Sequence, residues 1–203
     1  MYDFIKRVID ISISLILLIL LIPILIVVSI LIKLESTGPV FFRQSRIGQN
    51  GHPFTIYKFR TMYVYANENI QRKYLKEILE KENEQPVFRI VDDPKITRIG
   101  RFLRITSLDE LPQLINILKG DMSLVGPRPS LPFEYSKYED WQKERVTVKP
   151  GITGLWQISG RFRMSYDEMV KLDISYIKKR SILLDIEILI KTVSLVLTGK
   201  GAY

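Results

Sequence analysis

The sequence predicts a mainly helical α+β protein with one small antiparallel β-hairpin and an apolar N-terminal helix. Three features indicate this fold class: an uncharged apolar run at residues 11–32, two β-patterned segments around an Asn-Gly turn, and several segments whose apolar residues recur at helical spacing. We divide the chain into a membrane-anchoring segment, residues 1–34, and a polar domain, residues 35–203.

The apolar run consists mostly of Ile, Leu and Val, and it is long enough to cross a bilayer, which takes about 20 apolar residues. It is too long for the apolar part of a cleaved signal peptide, and no small-residue cleavage site follows it. We therefore expect this segment to enter the membrane.

The topology of this segment has two interpretations, which the residues support equally. Pro23 removes a helical hydrogen bond in the middle of the run and favours a kink there. Basic residues flank both ends, namely Lys6, Arg7, Lys33, Arg43 and Arg46. The positive-inside rule then favours a re-entrant helix bent near Pro23 with both ends on the cytoplasmic side, whereas a single kinked span tolerates the same proline.

The polar domain begins with a predicted β-hairpin, whose strands at residues 41–46 and 54–60 are joined by the turn-rich residues 48–51. In the second strand Lys58 and Arg60 share one face under the two-residue period. Two neighbouring cations on one face suit an anion-binding site, and solvated strand ends explain them as well.

The rest of the polar domain is predicted to be helical or loop-rich. Helical spacing predicts helices at residues 67–82, 97–105, 107–118, 166–179 and 182–197, with a short strand at 87–90, a turn at 92–94, and loops at 120–160 around a short element at 133–145. The last helix carries a narrow polar stripe on an otherwise apolar cylinder. Such a helix suits either the protein core or, as an amphipathic helix, the membrane interface.

The composition restricts the classes of partner and site. The chain carries a formal charge of +8, and the excess lies in the polar domain because the charges of residues 1–32 cancel. A basic surface suits phosphates, nucleic acid or acidic lipid head groups, although it also serves solubility. The absence of cysteine excludes disulfides, thiolate metal sites and a cysteine nucleophile, and the single histidine, His52, argues against multi-histidine metal sites.

Two adjacent carboxylates, Asp109 and Glu110, stand at the start of a predicted helix. Ser107 and Glu110 have the spacing of a capping box, so an ordinary helix cap is one interpretation. The alternative is a phosphoryl-transfer site. Three arginines precede the pair, and Pro112 interrupts the first turns of the helix. In such a site a carboxylate acts as nucleophile while Mg²⁺ and cationic side chains neutralise the phosphate.

Two further residues are candidates for binding or support. Arg128 lies between two prolines, which restrict the position of its guanidinium and so favour bidentate phosphate recognition, although such a stiff loop is also common on protein surfaces. Asp173 lies within the apolar stripe of a predicted helix, where a carboxylate needs an arginine, a metal or a ligand as partner.

Three segments resemble the bacterial sugar transferase family, the monotopic phosphoglycosyl transferases. The longest runs from residue 92 to residue 129 and contains DDPKITRIGRFLR, TSLDELPQL and KGDMSLVGPRP; the others are YKFRTM at 57–62 and PGITG at 150–154. The similarity extends through almost the whole chain, and the central motif is long enough to be specific to this family.

The resemblance implies a re-entrant membrane helix bent at Pro23 and a catalytic domain on the cytoplasmic face of the bacterial inner membrane. It implies that Asp109 attacks the β-phosphate of a UDP-sugar, releases UMP and holds the sugar phosphate until undecaprenyl phosphate displaces it. Glu110, together with Asp109, would hold Mg²⁺. The candidate phosphate contacts are Lys58, Arg60, Arg104, Arg128 and Arg161, with Asp173 in a supporting role.

The expected partners are therefore a UDP-sugar, undecaprenyl phosphate and membrane lipids, but not nucleic acid; a homodimer stays open. Two positions depart from the family pattern: Ile22 precedes the membrane proline where many members have Ser, and Lys149 stands where many have Arg. No additional span precedes this segment, so we expect a minimal catalytic form. The competing hypothesis is a membrane-anchored basic protein that binds acidic lipids, or a scaffold, without catalysis. No motif identifies the sugar.

Overall fold

The computed structural model describes residues 1–64, 95–159 and 164–198 and confirms a mainly helical α+β fold with one antiparallel hairpin. Its helices are α1 Tyr2–Glu35, α2 Arg98–Ile105, α3 Gln113–Lys119, α4 Pro132–Ser136, α5 Asp140–Lys143, α6 Leu155–Ile158, α7 Tyr166–Lys179 and α8 Ile182–Thr198. The strands are β1 Phe41–Ile47, β2 Pro53–Phe59, β3 Ser123–Val125 and β4 Gly151–Thr153, and 3-10 turns cover Gln49–Gly51, Leu108–Glu110 and Glu144–Val146. The predicted elements at 67–82, 87–90 and 92–94, and Arg161, lie outside the described residues.

Helix α1 is a single element of 34 residues that continues through Pro23. It is long and apolar enough to cross a membrane. Its middle is exposed on most sides, for example at Leu20 and Ile26. Its two ends, by contrast, are anchored to the polar domain.

The N-terminal end of α1 is held by polar contacts to α3 and β3. Arg7 donates hydrogen bonds to the carbonyl oxygens of Ile117 and Leu118, at 2.5 and 2.9 Å, near the C-terminus of α3. The buried Asp10 accepts a hydrogen bond from the backbone N–H of Leu124 in β3, at 3.0 Å. An arginine at the negative end of a helix is electrostatically favourable.

The C-terminal end of α1 is held by β2 and α2. The Glu35 carboxylate accepts from the backbone N–H groups of Arg98 and Ile99, at 2.6 and 3.0 Å, at the positive end of α2. Val28 and Ile32 are buried in an apolar cluster with Phe59 and Leu103.

The β-hairpin and a second strand pair frame the core. Strand β1 pairs antiparallel with β2, and the link between them reverses through Asn50 and Gly51, both with positive φ. Strands β3 and β4 form a parallel pair that the sequence analysis did not predict. The main apolar cluster lies between these elements, α3, α7 and α8; it contains Ile56, Leu114, Ile117, Met122, Leu124, Val125, Tyr176 and Ile188.

The predicted helix at 107–118 is divided in the structure. A 3-10 turn covers Leu108–Glu110, and α3 begins only at Gln113. Pro112 has no N–H to donate, so it is tolerated at the start of an α-helix but not in its interior. The α-helix therefore does not extend to residues before Pro112. Gly120 ends α3 in the left-handed conformation.

Candidate active site

The two adjacent carboxylates lie on the 3-10 turn between α2 and α3. Ser107, the residue before this turn, adopts the left-handed conformation with φ 56° and ψ 15° and makes no side-chain capping hydrogen bond. The capping-box interpretation is therefore wrong. A non-glycine residue in this conformation costs on the order of 1 kcal/mol, and such strain is concentrated at functional sites.

Strand β2 and helix α2 bring two cations to this turn. Lys58 Nζ donates to Glu110 Oε1 at 2.6 Å, and both side chains are partly exposed. Arg104 Nε donates to Thr61 Oγ1 at 3.0 Å, which fixes the guanidinium beside the end of β2. The structure thus brings Lys58, Arg104 and the two carboxylates together, although they are spread over more than 50 residues of sequence.

Asp109 is the perturbed carboxyl of this group. Burial raises the pKa of Asp109 to about 6, and the Glu110 charge acts in the same direction, while Lys58 and Arg104 oppose the shift. Asp109 is therefore mostly ionised at neutral pH although it is partly buried. A carboxylate in that state suits nucleophilic attack on phosphorus.

The Pro-Arg-Pro loop lies beside the hairpin. Ile47 N–H donates to the carbonyl of Ser130 at 2.9 Å, and Arg46 Nη1 donates to the carbonyl of Pro129 at 3.1 Å. Pro127 and Pro129 are buried, whereas Arg128 is half-buried and its side chain makes no hydrogen bond to any residue that the structure describes. Its guanidinium is thus available to a ligand.

Asp173 has the structural partner that its buried position requires. Arg145 Nε donates to Asp173 Oδ2 at 2.6 Å, and the two side chains are only 3% and 1% exposed. Arg145 Nη1 also donates to Tyr138 Oη at 3.0 Å, and that hydroxyl lies 2.6 Å from Ser130 Oγ. Burial raises the pKa of Asp173 to about 6 against the opposing charge of Arg145. This polar network packs behind the Pro-Arg-Pro loop, and a role of Asp173 in catalysis stays a prediction.

Arg60 makes contacts that the sequence analysis did not anticipate. It is buried, and its terminal nitrogens donate to the carbonyls of Ile32, Ser36 and Thr37 at 3.3, 2.7 and 2.7 Å. The guanidinium therefore caps the C-terminal end of α1, where helix carbonyls lack partners. No local pattern could reveal this, because the contact joins residues separated by more than 20 positions. These carbonyl contacts explain why Arg60 is buried without any phosphate ligand. The phosphate contact of Arg60 stays a prediction.

The carboxylate pair fits Mg²⁺ only together with a phosphate-bearing ligand. Within the described ranges, no three His, Cys, Asp or Glu side chains cluster in a way that could hold a metal ion. Asp109 and Glu110 supply the hard oxygen donors that Mg²⁺ prefers, and a Mg²⁺ bound to phosphates needs only one or two protein carboxylates.

Comparisons with known proteins identify the family of this chain. The sequence model of the bacterial sugar transferase family matches residues 1–199. The chain is 42% identical over 200 residues to the undecaprenyl-phosphate galactose phosphotransferase of Salmonella typhimurium, covering 98% of this chain and 42% of that protein. It is 38% identical over 208 residues to the UDP-glucose:undecaprenyl-phosphate glucose-1-phosphate transferase of Escherichia coli, covering 98% and 41%.

A third relative is similar in length. The exopolysaccharide production protein ExoY of Sinorhizobium fredii is 39% identical over 198 residues, covering 98% of this chain and 88% of ExoY. The chain thus spans about two fifths of the two longer relatives and most of ExoY. Because the family model covers nearly every residue, including the carboxylate pair and both membrane flanks, this chain belongs to the bacterial sugar transferase family.

Proposed function

We propose that this chain transfers a sugar phosphate from a UDP-sugar to undecaprenyl phosphate, releasing UMP and forming undecaprenyl-diphosphate-sugar. The observation that carries the proposal is Asp109, a partly buried carboxylate with a raised pKa that is adjacent to Glu110 and is acted on by the charges of Lys58 and Arg104. The names of the Salmonella and Escherichia coli relatives describe this type of transfer, and ExoY is named for exopolysaccharide production. We place the reaction at the first membrane step of polysaccharide or glycoconjugate assembly.

In the first half-reaction a carboxylate oxygen of Asp109 attacks the β-phosphorus of the donor. The bond from that phosphorus to the bridging oxygen breaks, and its electron pair leaves with UMP. Lys58 and Arg104 stabilise the negative charge that accumulates on the transferred phosphoryl group. When bound to Asp109 and Glu110, Mg²⁺ would supply further positive charge to the phosphates.

In the second half-reaction a phosphate oxygen of undecaprenyl phosphate attacks the same phosphorus. The bond to Asp109 breaks and its electron pair returns to the carboxylate, which regenerates the enzyme. The covalent route explains why a basic site contains a carboxylate that is not fully exposed and forms no salt bridge with any residue in the described ranges.

We further propose that α1 re-enters the membrane and leaves it on the side where it entered. Arg7 and Asp10 near its start, and Glu35 near its end, all contact the same polar domain. One folded domain cannot contact both ends of a helix that crosses a hydrocarbon core about 30 Å thick. The basic flanks then favour the cytoplasmic face of the inner membrane.

Helix α8 supports a shallow membrane contact for the domain. Its exposed apolar residues recur every three or four positions and so form one stripe: Leu183, Ile186, Ile190, Val193 and Leu197. Asp185 and Ile188 are buried on the opposite side. An exposed apolar stripe next to a membrane anchor is typical of an interfacial helix, and we assign α8 to that position.

The covalent step is tested without the lipid acceptor. Purified protein mixed with a panel of UDP-sugars should release UMP in an amount equal to the enzyme, and intact mass spectrometry should show one added sugar phosphate that hydroxylamine removes. Asp109→Asn should abolish both signals because the amide is not nucleophilic. Asp140→Asn, at an aspartate exposed on α5, should change neither.

Two results would contradict the proposal. If the adduct persists in Asp109→Asn, the nucleophile is another residue. If UMP appears only when both substrates are present, the lipid phosphate attacks the donor directly. A protein that binds acidic vesicles but turns over no UDP-sugar would be the basic binding or scaffold protein instead.

A further inference from the structure

Arg46 is an arginine of β1 that lies on the same face of the hairpin as Lys58. It pairs with Phe54, and Lys58 pairs with Phe42, so the two-residue period places both cations and Gln44 on one face. Arg43 lies on the opposite face, where it is exposed. Because Lys58 reaches Glu110, Arg46 belongs to the face of the hairpin that borders the carboxylate pair.

The guanidinium of Arg46 is held in place at the Pro-Arg-Pro loop that carries Arg128. Its Nη1 donates to the carbonyl of Pro129 at 3.1 Å, and its Nη2 donates to Gln44 Oε1 at 2.7 Å. Its Nε is buried and has no hydrogen-bond partner. Within the described part of the chain, neither Arg46 nor Arg128 forms a salt bridge.

The positive charges of Arg46 and Arg128 repel each other, and this repulsion is unfavourable until an anion joins them. Burial and the charge of Arg128 lower the pKa of Arg46 to about 10, which means that the charged form of Arg46 is destabilised at this position. Glu134, whose charge also acts on Arg46, uses Oε2 to accept the backbone N–H of Leu131 at 2.7 Å. The like-charged pair is therefore arranged for a ligand with negative charge.

The position of the pair relative to Asp109 indicates which phosphate it binds. Phe54, the residue opposite Arg46, precedes Lys58 by four positions in β2, so Arg46 lies about 13 Å farther along the hairpin than Lys58, which contacts Glu110. In phosphoryl transfer the attacking and leaving oxygens lie on opposite sides of the phosphorus. The transferred phosphoryl group then belongs beside Lys58 and Arg104, and the leaving phosphate belongs farther from the nucleophile.

We infer that Arg46, together with Arg128, binds the phosphate of the nucleoside monophosphate that leaves in the first half-reaction. This inference rests on the proposed function. As the bond from the β-phosphorus to the bridging oxygen breaks, its electron pair passes to that oxygen, and the leaving phosphate gains one negative charge. The two guanidiniums stabilise that charge as it forms.

The test separates the two half-reactions in the full-length protein. Arg46→Gln should slow UMP release from the UDP-sugar roughly 10- to 100-fold, the range expected for losing a hydrogen bond between charged groups, and should weaken UMP binding to a similar degree. Adduct formed by long incubation and freed of UMP should pass to polyprenyl phosphate at the wild-type rate. Arg43→Gln, the matched arginine on the opposite face of β1, should alter neither half-reaction.

Arg46→Lys provides a second variant if the glutamine does not fold. It keeps the charge but not the planar fork, so it should show the same selective loss to a smaller extent. A wild-type rate of UMP release in either variant overturns the inference. Equal slowing of both half-reactions assigns Arg46 a structural role, and slowing of the second alone assigns it to the lipid phosphate. A wild-type protein that forms no adduct refutes the proposed function itself.

Discussion

The raised pKa of Asp109 predicts how the first half-reaction depends on pH. Attack requires the carboxylate, so activity should be present above a midpoint of about 6 and lost as the pH falls through it. With that midpoint, about nine tenths of Asp109 is ionised at pH 7 and about one tenth at pH 5. The value of kcat/KM for UMP release should therefore fall roughly tenfold between these pH values. A carboxyl at its ordinary pKa would lose little over the same range.

The assay is the initial rate of UMP release at low donor concentration from pH 5 to pH 8, with circular dichroism to verify folding at each pH. The donor diphosphate stays ionised throughout, so the profile reports the enzyme. Asp173 also has a pKa of about 6, so the profile alone does not identify the group.

A variant that removes one charge distinguishes Asp109 from Asp173 as the group that sets the pH profile. Lys58 lowers the pKa of Asp109, whereas Arg145 and Arg128 are the charges that lower the pKa of Asp173. In Lys58→Gln the midpoint should therefore move to higher pH. A flat profile from pH 5 to pH 8 in the wild type, or an unchanged midpoint in Lys58→Gln, would refute the reasoning.

Two further predictions concern the metal and the membrane. A chelator should abolish UMP release and added Mg²⁺ should restore it, because the carboxylate pair and the phosphates need a hard cation between them; full activity in excess chelator would remove Glu110 from its metal role. A single cysteine at Asp3, in a chain that otherwise has none, should resist an impermeant thiol reagent in intact cells and react after permeabilisation, as a cysteine at His52 in the hairpin turn should. Labelling of the first position alone in intact cells would show that α1 spans the membrane.

The sequence predicted those elements whose determinants are local. Helix α7 starts after Ser165, whose hydroxyl accepts from the N–H of Glu168 while the Glu168 carboxylate accepts from the N–H of Ser165, and such a capping box is readable from the sequence. The same pattern at Ser107 failed, because Pro112 delays the α-helix and Ser107 is left-handed. The parallel pair β3–β4 was missed since strands of three residues are too short to show a period.

The candidate site likewise contains features that the sequence indicated and contacts that it did not. The residue pattern singled out the carboxylate pair, the resemblance assigned roles to it and to the cations, and the structure brings Lys58 and Arg104 to that pair. The contacts of Arg60 and Arg46 could not be predicted from the sequence. Arg60 contacts the end of α1, and Arg46 contacts the carbonyl of Pro129, so both contacts depend on the tertiary structure. Nothing in the local sequence of a strand specifies which distant carbonyl its arginine will meet.

The end of β2 joins the membrane anchor to the chemistry. Four consecutive residues divide the work: Lys58 pairs with Glu110, Phe59 packs in the cluster with Val28 and Ile32 of α1, Arg60 caps the end of α1, and Thr61 accepts from Arg104. Because β2 ends at Phe59, Arg60 and Thr61 no longer follow the alternation of the strand, and this short segment reaches both the anchor and the carboxylate pair. In the proposed reaction the acceptor phosphate is carried by a lipid and meets Asp109 at a defined depth. Fixing α1 and the carboxylate pair to the same strand end holds that depth constant.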